Sequence, residues 1–107
     1  MKGLLGKQIL TADQETSLVQ IGTNVKYAEV DINILNPTAN DATISLAFSQ
    51  QAVTPLAADY VEQGLILTNG GSVLIRSKEI LSPGERVYVK SNVTGVVVRV
   101  TGVEQVN

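Results

Sequence analysis

The chain has 107 residues, 44% hydrophobic and 17% charged, a length and balance that suit one globular domain and exclude a disordered one. A formal charge of −2 is too small to hold nucleic acid by electrostatics, and no apolar run reaches bilayer length. The absence of cysteine and histidine removes disulfides, thiolate metal sites and the commonest general base.

Only four residues are aromatic (Tyr27, Phe48, Tyr60, Tyr88), so the core must be built from Val, Ile and Leu, which fit a pleated sheet well. Residues 1–62 carry three basic and seven acidic side chains, net −4; residues 63–107 carry five and three, net +2. Strands that fold back on one another mix such halves in space. Head-to-tail packing of copies is the sharper alternative.

Residues 1–14 read as an extended N-terminal arm ending in a short strand near residues 7–11, and 15–107 as the folded domain. The start, Met1-Lys2-Gly3-Leu4-Leu5-Gly6, runs directly into polar residues and lacks the apolar centre of a secretion signal. Leu4, Leu5, Ile9 and Leu10 need cover. They lie either in an edge strand of the same domain or in an arm on a neighbouring subunit's sheet.

Residues 16–21 alternate as a strand, and Gly22-Thr23-Asn24 turns the chain. The clearest pattern follows. Ala28, Val30, Ile32 and Ile34 share one face, and after a polar break Ile44, Leu46 and Phe48 resume it, with Thr43, Ser45 and Ser49 outward. The spacing predicts one β-hairpin over 27–49, its tip at Asn36-Pro37-Thr38-Ala39-Asn40-Asp41. Asn36, Asn40 and Asp41 gather oxygen atoms there, making the tip a candidate contact loop, for a glycan or a weakly held calcium ion. Turn chemistry accounts for the same residues without a ligand.

Residues 50–58 read as a loop with one helical turn at Thr54-Pro55, followed by a strand over 60–67. Asn69-Gly70-Gly71 predicts a tight hairpin into a strand running to about Ile80. Pro83-Gly84 marks a turn into 86–90, with Val87 and Val89 inward and Tyr88 outward. In the last strand Val96, Val98 and Val100 alternate with Val97, Arg99 and Thr101. Valines on both faces there suggest a strand covered on both sides or an outer face that meets a partner, with Val97 and Tyr88 as candidate contacts.

Seven or eight short strands predict a single all-β antiparallel sandwich, immunoglobulin-like or jelly-roll-like, with the N-terminal arm appended. Catalytic equipment is thin. Glu29 and Asp31 share a strand face, but two acids on a solvated face are ordinarily only that. No cofactor, metal or enzymatic activity is expected.

The order of pieces resembles small virion structural proteins of tailed bacteriophages. The resemblance rests on an alternating strand ending in Asn (Val30 to Asn36), a second one over residues 42–49, and a Pro-x-x-x-Asp-Tyr-Val-Glu segment at 55–62. A Leu-x-x-Gly-Glu-x-Val-x-Val box at 81–89 and a valine-rich strand closing on Gly102-Val103-Glu104 complete it. It covers residues 15–105 and rests on turn and core signatures rather than active-site residues. It implies a non-enzymatic particle component, whether capsid decoration, neck, tail or fibre attachment. Such a component is assembled in the host cytoplasm and retained in the virion, with copies of itself and other virion proteins as partners. The alternative is a module that binds host-surface carbohydrate through loops 36–41 and 50–58.

Overall fold

A computed structural model describes residues 3–106. They form eight strands: β1 (Gly3–Ile9), β2 (Thr16–Gln20), β3 (Val25–Asn36), β4 (Ala42–Ser49), β5 (Tyr60–Leu67), β6 (Ser72–Leu81), β7 (Arg86–Ser91) and β8 (Val97–Val106). A single 3-10 turn, Ala57–Asp59, precedes β5. The strands make two four-stranded antiparallel sheets: sheet A in the order β1-β8-β3-β6 and sheet B in the order β2-β7-β4-β5.

The pairs are nested along the chain. The first strand pairs with the eighth, the second with the seventh, the third with the sixth and the fourth with the fifth. Alternation supplies the core: Val30, Ile32 and Ile34 of β3 and Val98 and Val100 of β8 join Ile44 and Leu46 of β4 and Val87 and Val89 of β7 in one buried cluster. Both sheets turn a β-branched face inward, and burial of those faces holds them together.

The hairpin predicted over 27–49 is therefore corrected. Both strands exist, but β3 lies in sheet A and β4 in sheet B, so the turn at 37–41 carries the chain from one sheet to the other. Their inner faces lie on opposite sides of the core instead of side by side. The Asn69-Gly70-Gly71 turn likewise links β5 of sheet B to β6 of sheet A. Only β4 and β5, joined through residues 50–59, are neighbours both in sequence and in a sheet.

These crossings gather the loops at two ends. One end holds 10–15, 37–41, 68–71 and 92–96, stitched by backbone bonds such as Gly70 N to Thr38 O (3.0 Å) and Gly95 N to Leu10 O (3.0 Å). The other holds 21–24, 50–59 and 82–85, where Ile21 N donates to Glu85 O at 2.8 Å.

Loop 50–59 also folds back over the outer side of sheet B. The Tyr88 hydroxyl donates to Gln51 O at 2.6 Å, and Ser49 Oγ donates to Asp59 Oδ2 at 2.7 Å. Tyr88 is consequently only 1% exposed and Ser49 is buried, so neither faces solvent as the alternation predicted.

Within the N-terminal segment, residues 3–9 are β1 at the edge of sheet A, paired with β8 from Gly3↔Gly102 to Ile9↔Val97. Within this chain it occupies the edge-strand alternative. Met1, Lys2 and Asn107 fall outside the described residues.

Candidate interaction face

The outer face of sheet A differs from an ordinary solvated sheet surface. Register places Ile9 beside Val97, Val97 beside Leu35, and Leu35 beside Val73. These four side chains form an apolar row across all four strands, on the side that does not line the core. Ile9 is 65% exposed and Val73 47% exposed, while Val97 and Leu35 are half-buried between them.

The next row, again by register, is Lys7, Arg99, Asn33 and Ile75, with Ile75 59% exposed. Beyond it come Leu4, Thr101 and Asp31, and then Val103, Glu29 and Ile80. A shallow depression of about 410 Å³ lies in this face, with Asp31, Asn33, Ile75, Ser77, Arg99 and Thr101 around it. Leu4, Ile9, Val73, Ile75 and Ile80 thus gather on one side of the molecule, and a concentration of large apolar side chains makes this face the candidate contact surface.

Charge on this face is divided. Lys7 and Arg99 stand on β1 and β8, whereas Glu29 and Asp31 stand on β3. Asp31 also acts locally, its Oδ1 accepting the Lys78 amide at 2.9 Å where β6 slips in register against β3 and Lys78 adopts a φ of 58°. That bond ties Asp31 to the bulge and separates its role from that of Glu29.

Of the residues singled out from the sequence, Leu4, Ile9 and Val97 lie on this face, and Leu5 packs partly against the core. Leu10 is fully buried within the core, and Tyr88 lies under loop 50–59; both are corrected from contact residues to internal ones. The residues missed were Leu35, Val73, Ile75 and Ile80. Strand β6 offers apolar side chains on both faces (Val73 and Ile75 outside, Leu74 inside), so alternation alone does not say which set meets the core.

The tip residues separate in the same way. Asn36 is buried; its Nδ2 donates to the carbonyls of Asn40 (2.8 Å), Leu67 (2.9 Å) and Thr68 (3.3 Å), and its Oδ1 accepts from Thr38. It is an internal fastener and not a contact residue. Asp41 is exposed, but its Oδ1 accepts the Asn69 amide at 2.9 Å and so joins loop 37–41 to loop 68–71. Asn40 is exposed, and its carbonyl accepts from both Asn36 and Thr38.

Loops 37–41 and 50–59 flank opposite ends of β4, eight residues and about 25 Å apart. They cannot jointly hold one small glycan.

The five basic residues of the second half do not make one stripe. Arg76, Lys78 and Arg99 belong to sheet A, and Arg86 and Lys90 to sheet B. Arg76 forms ion pairs with Glu62 of β5 (2.9 Å) and Glu79 (2.8 Å), clasping the two sheets along one side. On sheet B, the Tyr60 hydroxyl donates to Glu15 Oε2 at 3.2 Å. Desolvation by burial, reinforced by the Glu15 charge and that hydrogen bond, raises the Tyr60 pKa above the ordinary 10.0. Among the described residues no three acidic side chains gather where they could hold a metal ion.

Comparison of the chain with family models, curated proteins and solved structures found no match.

Proposed function

We propose that this protein is a non-enzymatic structural component of a tailed-bacteriophage particle, present in several copies and held by surfaces buried against its neighbours. The observation that carries this reading is the apolar row Ile9, Val97, Leu35 and Val73 on the outside of sheet A. A sheet that buries one face in its own core has no internal use for a second apolar face; a neighbouring subunit gives it one. The resemblance over residues 15–105 supplies the particle, and the face supplies the means of attachment.

The finer class of the fold is part of the same proposal. Nested pairing, with sheets ordered β1-β8-β3-β6 and β2-β7-β4-β5, supports a jelly roll over the immunoglobulin-like alternative, whose sheets group different strands. Jelly rolls recur in viral capsid domains, among other settings. An N-terminal strand that pairs with one neighbour only, as β1 does, also suits exchange onto an adjacent subunit.

The test is the composition and reconstruction of particles purified from the source cells. The chain should be present in several symmetry-related copies, with sheet A turned toward a neighbour. Particles that lack it, or that carry it with sheet A facing solvent, overturn the proposal.

A further inference from the structure

We infer that a second copy of this chain covers the outer face of sheet A, related to the first by a two-fold axis that runs parallel to the strands between β8 and β3. The inference rests on the reading of that face as a contact surface and names what occupies it.

The pattern on the face selects this operator. A two-fold axis between β8 and β3 exchanges those strands, and exchanges β1 with β6, while keeping each row at its own height. The apolar row then lands on itself: Val97 over Leu35 of the second copy, and Ile9 over its Val73. One row on, Arg99 stands over Asn33 of the second copy, within diagonal reach of its Asp31. Arg99 of each copy therefore approaches Asp31 of the other, and the relation is reciprocal, while Lys7 lies over Ile75 of the second copy.

The rival face-to-face arrangement, with the axis perpendicular to the strands, sets each strand upon itself. It turns β8 with Arg99 toward β8, and β3 with its two carboxylates toward β3. For the apolar row to meet itself there, the axis must cross at that row's height, near one end of the strands, and the rows from Lys7 to Ile80 then swing clear of the second copy.

Size agrees with a reversible pairing. Four strands about 4.8 Å apart and four rows about 6.8 Å apart make a face of roughly 500 Å², a total burial on the order of 1,000 Å² and the least that a specific interface needs. Such a contact is populated at micromolar to millimolar protein, and at the high local concentration of a particle surface.

The test is sedimentation equilibrium of the full chain over that concentration range. The mass should rise from one chain to two. Val73→Asp and Ile9→Lys should each weaken the dimer about tenfold or more, and the double variant V73D/I9K should recover most of the loss. Residues 9 and 73 occupy opposite edge strands of one sheet, so recovery reports contact between copies and not within one chain. Both positions are exposed, and unchanged far-ultraviolet dichroism verifies that the variants fold.

A chain that stays monomeric throughout overturns the pairing, as does a dimer indifferent to either substitution or a double variant no tighter than the singles. Monomeric behaviour leaves the particle proposal standing, because particle composition tests that separately. A face-paired dimer absent from particles does the reverse.

Discussion

The Asn36 side-chain amide donates to the Leu67 carbonyl at 2.9 Å and so joins the last residue of β3, in sheet A, to the last residue of β5, in sheet B. The same nitrogen reaches Asn40 O and Thr68 O, and Oδ1 takes the Thr38 amide and hydroxyl. One buried side chain thus organises two loops and the seam between the sheets. Replacing Asn36 with Ala strands these groups where water is scarce, and the unfolding free energy should fall by about 2–4 kcal/mol. Urea denaturation with an unchanged slope checks it.

Gly102 and Gly70 should respond very differently to alanine. A Cβ on Gly102 would collide with the Glu29 carbonyl oxygen and stand 2.9 Å from the Val30 Cα, both in the backbone of β3. Neighbouring strands cannot yield that much without breaking their ladder, so Gly102→Ala should cost about 3 kcal/mol or more. At Gly70 the space is open and only the φ of +80° resists, so Gly70→Ala should cost about 1 kcal/mol. Comparing the two midpoints in urea tests whether close strand approach outweighs turn strain.

Tyr60 predicts a loss of stability in alkali. Its pKa is raised in the folded chain, first by burial and then by Glu15, whereas unfolded tyrosine titrates near 10.0. The folded state holds this proton more firmly. The stabilisation is therefore complete below the unfolded value and is lost as pH rises through the folded one. Tyr60→Phe should flatten this part of the stability–pH curve, and Glu15→Gln should bring the tyrosinate absorbance of residue 60 on at lower pH.

Asp59 holds the cover on sheet B. Its Oδ2 accepts both the Ser49 hydroxyl (2.7 Å) and the Leu56 amide (2.9 Å). Asp59→Ala removes both bonds and leaves the Tyr88 hydroxyl as an anchor of loop 50–59 through Gln51. Cleavage within 50–59 by a nonspecific protease should quicken several-fold while the melting temperature falls only a few degrees. Equal acceleration at other loops would show that the whole fold had loosened instead.

Strand positions were legible because a period of two is a local property. The strand expected over 60–67 matches β5, and Ala28, Val30, Ile32 and Ile34 all face the core. Strand partners were not legible. Alternation reports which face is buried, but neighbours in a sheet and strands across a core present the same alternation, and the 37–41 turn can span either gap. Asn69-Gly70-Gly71 misled for the same reason: positive φ describes the bend and not what lies beyond it. Tyr88 and Ser49 read as outward because the cover over them comes from loop 50–59, which has no periodicity to read. The candidate face was half visible. Leu4, Ile9 and Val97 were suspect as unplaced apolar residues, while Val73 and Ile75 passed for ordinary strand residues.

The seating of β8 between β1 and β3 has a consequence for how the molecule is made. A ribosome releases the chain from its beginning, yet the centre of sheet A is supplied by residues 97–106, which emerge after the other seven described strands. Until they arrive, β1 has no partner in the sheet and β3 has one bare flank, so sheet A stays half-built until β8 is made. A stop codon before Val97 would therefore remove the keystone of a sheet rather than trim a tail.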